Sequence, residues 1–382
     1  MILLYLLILV SIFYLLAKIC DEYFVKSLDI FAKKLKLSED VAGATFMAIG
    51  SSAPEFFTAV IAIMKVGSEQ VGAGTIVGSA IFNILVIVGA SAVVATSFLS
   101  WKPVIRDMLF YIAAIVVLLF TFSDGRITFF ESIIYLVSYA IYILVLVNWR
   151  RWSGMKEKDD VMEMVSDEIQ HEEQVLKKQK GILAFLENIT SSVLSRIFPD
   201  INKYPNKYVS VFAISILGII VLSWVLVEVA VLLAHELGIP EVIIALTILA
   251  GGTSIPDLLS SLIVAKQGRG DMAVSNAVGS NIFDIFICLG LPWMLYIMVT
   301  GNTMVVSTEN LMASIFLLFF TVVSLLFLLV WQKFKIGPKA GYLLLFFYAG
   351  YLLYSIYAAY VPEAWSIGEF FSMIGSYLQT AI

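Results

Sequence analysis

Long apolar runs separated by short polar breaks occupy almost the whole chain. A helix needs about 18 or more consecutive apolar residues to cross the hydrocarbon of a bilayer. The pattern predicts ten spans, over 2–20, 42–64, 73–97, 105–122, 128–148, 208–234, 241–264, 273–299, 312–331 and 341–360. The first run, from Ile2 to Cys20, has no positive n-region and is too long for a signal-peptide core, so it is expected to be retained. The longest polar stretch, 149–207, separates two sets of five spans. The expected organisation is therefore a transmembrane repeat over 1–148, a loop over 149–207, a second transmembrane repeat over 208–362, and a tail over 363–382. The tail is expected to form a short interfacial helix, anchored by Trp365 and Tyr377.

Composition agrees with a membrane chain: 60% of residues are hydrophobic and 14% charged, against about 25% charged in soluble proteins. The net charge of −5 says less than the placement of the charges. Lys26, Lys33, Lys34 and Lys36, then Lys102 and Arg106, Lys266 and Arg269, and Lys333, Lys335 and Lys339 fall on alternate loops, together with the central loop. The opposite set holds only Lys65 and Arg126. Loops rich in Lys and Arg stay cytoplasmic, so both termini are expected outside a cell membrane and the central loop inside. Five is an odd number, so the second half enters the bilayer upside down relative to the first. The predicted fold class is an all-α polytopic membrane protein of two inverted five-helix repeats.

The central loop mixes acids (Glu157, Asp159, Asp160, Glu163) with a basic run at Lys177, Lys178 and Lys180, which describes a solvated, partly helical linker. No EF-hand spacing occurs in it, and the sequon Asn188-Ile-Thr190 falls on the side where it would go unused. Cys20 and Cys288 lie in apolar segments and are expected to pack there.

The two halves carry versions of one sequence. Thr45-Phe-Met-Ala-Ile-Gly-Ser-Ser-Ala-Pro-Glu55 matches Thr247-Ile-Leu-Ala-Gly-Gly-Thr-Ser-Ile-Pro-Asp257 at an offset of 202. Val77-Gly-Ser-Ala-Ile-Phe-Asn83 matches Val278-Gly-Ser-Asn-Ile-Phe-Asp284 at an offset of 201. Ionised carboxylates at membrane depth are costly and line ion or substrate paths. Pro54 and Pro256 are expected to break their helices and free the backbone at Gly50 and Gly252. Broken helices within inverted repeats are where transporters bind their substrates.

The donors near these breaks are hard oxygens: Glu55 and Asp257, the hydroxyls of Ser51, Ser52, Thr253 and Ser254, then Ser79, Ser280, Asn83 and Asp284. Ca²⁺ and alkali cations prefer such donors. Gly74, Gly78 and Gly279 permit close helix approach, so Gly78-Ser79 and Gly279-Ser280 are read equally as packing and as site lining. Glu55, Asp257 and Asp284 together carry −3 when ionised. One Ca²⁺ with one K⁺ balances that charge, and so do three monovalent ions, which is the electrostatic basis of exchange.

These segments resemble the calcium/cation antiporters with their paired alpha repeats, about 41–95 and 243–298 here, and among them most the K⁺-dependent Na⁺/Ca²⁺ exchangers. The resemblance extends to Ser38-Glu-Asp-Val-Ala-Gly-Ala-Thr-Phe-Met47, Gly74-Thr-Ile-Val-Gly-Ser79, Gly268-Arg-Gly-Asp-Met-Ala-Val274 and Leu291-Pro-Trp293. It implies that Glu55 and Asp257 are the central Ca²⁺ and Na⁺ ligands, with the hydroxyls above around them. Carbonyls of Ala48 and Ala250 would complete the outer Na⁺ positions. Asp284 would be the residue linked to K⁺, with Asn83 as its uncharged counterpart. The implied activity is antiport of Na⁺ against Ca²⁺ with K⁺ co-transported, the first and sixth spans sliding against the other eight. No cofactor or nucleic-acid partner is expected, and the ions and the lipid bilayer are the partners. A central loop of about 60 residues is too short for folded sensor domains of on the order of 100 residues each.

Three other readings use the same residues. An H⁺/Ca²⁺ or other divalent antiporter would titrate the same carboxylates. A channel would share the ligands without needing an inverted repeat. An intramembrane aspartyl protease is the remote reading, prompted by Gly268-Arg-Gly-Asp271, but it leaves Glu55 without a role.

Overall fold

The computed structural model describes residues 1–34, 48–65, 69–153, 182–199, 203, 205–266, 268, 270–306 and 309–360. The segment 38–47, most of the central loop and the tail from 361 lie outside the described residues. The expectations for the acids of the central loop, Trp365 and Tyr377 fall there. The principal helices are α1 (Ile2–Leu28), α2 (Ala53–Met64), α3 (Gln70–Val94), α4 (Trp101–Thr121), α5 (Phe129–Trp149), α6 (Tyr208–Leu237), α7 (Glu241–Thr253), α8 (Ile255–Lys266), α9 (Gly270–Thr300), α10 (Leu311–Trp331) and α11 (Pro338–Tyr357). A further helix, Ile182–Ile197, occupies the end of the central loop.

Eight of these are long and apolar enough to cross a bilayer, and α7 with α8, bent by 41°, makes a ninth. Of the expected second span, 42–64, the turn Ala48–Ser51 and the shorter apolar helix α2 are seen, and its beginning, 42–47, lies outside the described residues. The count of ten is therefore not reached among the described residues.

The two breaks fall one residue pair later than the sequence implies. Ser52 (φ −91°, ψ 11°) separates Ala48–Ser51 from α2, and Ser254 (φ −86°, ψ 3°) separates α7 from α8. Pro54 and Pro256 then occupy the first turn of the following helix, where a missing N–H costs nothing. Gly50 and Gly252 serve close approach instead of freed backbone. A Cβ on Gly50 would lie 2.7 Å from Val25, and one on Gly252 would lie 2.1 Å from the Phe13 ring. Both contacts come from α1, which thus lies over both breaks.

Two large apolar cores dominate the packing. One apolar core joins α3, α4 and α5 to α9, α10 and α11, around residues such as Ile76, Tyr111, Trp293 and Leu318. A second lies chiefly between α1 and α6, with Leu9, Ile12 and Leu16 beside Ile219, Leu226 and Leu233. The repeat shows in the smallest elements. Strand β1 (Ser97–Phe98) pairs antiparallel with β4 (Lys335–Ile336), and β2 (Arg126–Ile127) with β3 (Met304–Val305). Each pair ties a loop of one half to a loop of the other, and exchanging the halves converts one pair into the other. The loops so joined are those that the Lys and Arg pattern assigns to a common side.

Candidate functional site

Two pairs of serines, related by the repeat, stitch the halves together. Ser52 at the first break lies 3.2 Å from Ser280 of α9. Ser254 at the second break is hydrogen-bonded to Ser79 of α3. Each partner serine also reaches the acid of its own half. Ser280 donates to Asp257 Oδ2 at 3.0 Å, and Ser79 donates towards Glu55 Oε1 at 3.4 Å. Ser79 further approaches the carbonyl of Ala250 at 3.3 Å, which Thr253 Oγ1 meets at 3.4 Å. The Thr253 hydroxyl also bonds the Leu249 carbonyl of its own helix at 3.1 Å.

This crossing is possible because Gly74 and Gly78 let α3 lie close against α7. A Cβ on Gly78 would lie 2.4 Å from the Leu246 carbonyl and 2.6 Å from Ala250 Cβ, and one on Gly74 would lie 3.0 Å from Ala245 Cβ. Gly78 thus packs while Ser79 faces the polar centre. At Gly279 no described atom comes within 4 Å of an added Cβ, so its expected packing role is not seen among the described residues.

Glu55, Asp257 and Asp284 are 2, 5 and 1% exposed. They lie within electrostatic reach of one another. Among the described residues they do not close into one compact cluster of metal-ligating side chains. Asp284 and its counterpart Asn83 each begin a π-helical turn, Asp284–Leu289 and Asn83–Ile87. Such turns reorient side chains within a helix and recur at functional sites. Cys288, one turn on, lies 3.5 Å from Asp284 Oδ1 and 3.9 Å from the Ser52 carbonyl, so it touches the polar centre as well as packing. Ser51 is half-buried just before the first break, and Ala48 opens the preceding turn.

Among the described residues, two buried oxygens in this region have no hydrogen-bond partner: Glu55 Oε2 and Asn83 Oδ1. An unmet buried acceptor costs about 1–3 kcal/mol, a cost that a bound ion or water removes. Sequence reasoning passed over Asn281, which accepts a hydrogen bond from Asn83, and Tyr111, which accepts one from Asn281. The signal was present in the repeat, where Asn281 stands opposite Ala80. Asp271, in the motif that prompted the protease reading, sits in the first turn of α9 and bonds the Met272 N–H.

Inverted halves that meet at two broken helices around buried carboxylates define a membrane transporter of the inverted-repeat class. The chain belongs to the sodium/calcium exchanger protein family, which it matches over residues 4–148 and 207–357. It is 33% identical over 356 residues to human sodium/potassium/calcium exchanger 5, covering 76% of this chain and 70% of that protein. It is 29% identical over 497 residues to chicken sodium/potassium/calcium exchanger 1, covering 86% and 75%. Among solved structures it shares the fold of the sodium-calcium exchanger NCX_Mj, with a TM-score of 0.55 at 24% identity, covering 91% of this chain and 98% of that one. It likewise shares the fold of the H⁺/Ca²⁺ exchanger CAX, with a TM-score of 0.64 at 16% identity, covering 99% and 85%.

Proposed function

We propose that this exchanger moves Na⁺ against Ca²⁺, with K⁺ carried alongside Ca²⁺, by alternating access around the centre formed by the two breaks. The observation that carries the reading is the pair of unspent buried oxygens, Glu55 Oε2 and Asn83 Oδ1, beside acids contributed by both halves. Acceptor oxygens at membrane depth gain most from a cation. Glu55 and Asp257 are the central Ca²⁺ and Na⁺ ligands in this reading. Ser51, Ser52, Ser79, Thr253, Ser254 and Ser280 line the site, with the carbonyls of Ala48 and Ala250 at its outer Na⁺ positions. Asp284 supplies the third negative charge that a K⁺ balances. The similarity to relatives named sodium/potassium/calcium exchangers supports K⁺ as the third ion. The separate α1–α6 core supports motion of those two helices against the rest.

Radioactive Ca²⁺ uptake into proteoliposomes, driven by an outward Na⁺ gradient with and without external K⁺, tests the reading. Uptake that requires both ions is expected. Uptake with Na⁺ alone would remove K⁺ from the cycle, and uptake driven only by a pH gradient would replace Na⁺ by H⁺.

A further inference from the structure

Asn281 is a polar side chain that the repeat does not share, for its counterpart is Ala80. It is fully buried and makes three contacts. Its Nδ2 donates to the Ala80 carbonyl at 3.2 Å and to Tyr111 Oη at 2.9 Å, and its Oδ1 accepts from Asn83 Nδ2 at 2.8 Å. Tyr111 Oη also lies 3.5 Å from the Ala80 carbonyl, which braces the arrangement from α4.

The oxygen and nitrogen of an amide are alike in shape, so its direction must come from its partners. Here the partners decide it. A backbone carbonyl only accepts, so the Asn281 atom facing Ala80 is the NH₂ group. The other Asn281 atom is then the oxygen, and the Asn83 atom facing it must be the donor. What Asn83 has left is its carbonyl oxygen, buried and without a hydrogen-bond partner among the described residues.

We propose that Asn281, braced by Tyr111 and the Ala80 carbonyl, is a positioning residue that keeps Asn83 Oδ1, and not its NH₂ group, available to the transported cation. The inference rests on the functional reading above, in which Asn83 lines the cation site. It also accounts for the asymmetry of the repeat. Asp284 occupies the matching position in the second half with a carboxylate, whose two oxygens are equivalent. Rotating a carboxylate by half a turn changes nothing, so Ala80 suffices opposite it. Rotating an amide replaces an attractive oxygen with a donor that repels a cation.

A double-mutant cycle on the purified full-length protein tests this, with equilibrium Ca²⁺ binding as the readout. Asn281→Ala should weaken Ca²⁺ binding by about 10–100-fold, the range for groups that orient a metal ligand. In the Asn83→Asp background the same substitution should cost little or nothing, because a carboxylate needs no orienting. Tyr111→Phe, a milder change that keeps the ring in place, should weaken binding by a smaller factor and lose its effect in that same background. Equal losses in both backgrounds would make Asn281 merely structural and overturn the proposal, as would unchanged binding in Asn281→Ala. If Glu55→Gln loses binding while the cycle shows no coupling, only the positioning role falls. If Glu55→Gln binds Ca²⁺ as tightly as the unsubstituted protein, the functional reading falls and the positioning role with it.

Discussion

At single residues, what matters is which oxygens already hold a hydrogen bond and which can still meet a cation. Asp257 Oδ2 receives the Ser280 hydroxyl, whereas Glu55 keeps one oxygen unmet among the described residues. Glu55→Gln or Asp257→Asn removes a charge that no neighbouring hydroxyl can replace, and Ca²⁺ exchange should fall to background in reconstituted vesicles. Near-normal flux in either variant would sink the assignment of that acid. Asp284→Asn makes the second half resemble the first, where Asn83 stands at the same position. Exchange should then lose most of its response to K⁺, measured as the uptake ratio with and without the ion. An unchanged ratio would refute the role. The acids and most of the hydroxyls were legible because the same residue types recur in both halves at offsets of 202 and 201. The links between them were not. That Ser52 meets Ser280 and Ser79 meets Ser254 depends on how the halves are placed in space, which no local pattern encodes.

At the scale of helices, the breaks were legible in kind and displaced in position. Proline inside an apolar run announces an interruption, and the sequence placed it at the glycines four residues earlier. The structure places it at Ser52 and Ser254, because proline fits the first turn of a new helix without losing a hydrogen bond. The glycines are instead where α1 presses closest. Gly252→Ala drives a methyl group into the Phe13 ring, and overpacking of this kind costs about 1–3 kcal/mol. Thermal unfolding in detergent should register the loss, and Phe13→Ala should relieve part of it. Gly252→Ala with no change in unfolding temperature would show that the ring moves aside freely.

At the scale of the whole molecule, the bilayer made the fold readable, since each span announces itself as an apolar run. The extents agree within a few residues for most spans, though α1 continues to Leu28, well past the expected end at Cys20. The inverted arrangement rested on an odd number of spans per half. The strand pairs β1–β4 and β2–β3 express it independently, each joining a loop of one half to a loop of the other. They also offer a test of sidedness. With a cysteine at Arg126 or at Phe98, a thiol reagent that cannot cross membranes, applied outside intact cells, should modify the first and spare the second. Because Phe98 faces Lys335 and Arg126 faces Val305, cysteines placed on both members of either pair should crosslink. The reversed labelling pattern would invert the orientation while leaving the fold intact.

The central claim is that one site, built from acids of both halves, holds Ca²⁺ or Na⁺ but not both. Equilibrium binding of radioactive Ca²⁺ to the purified protein across a Na⁺ titration tests it most directly. The account predicts a single class of Ca²⁺ site, displaced cooperatively by more than one Na⁺ and lost in both Glu55→Gln and Asp257→Asn. Ca²⁺ binding that ignores Na⁺, or that survives the loss of either acid, would contradict it.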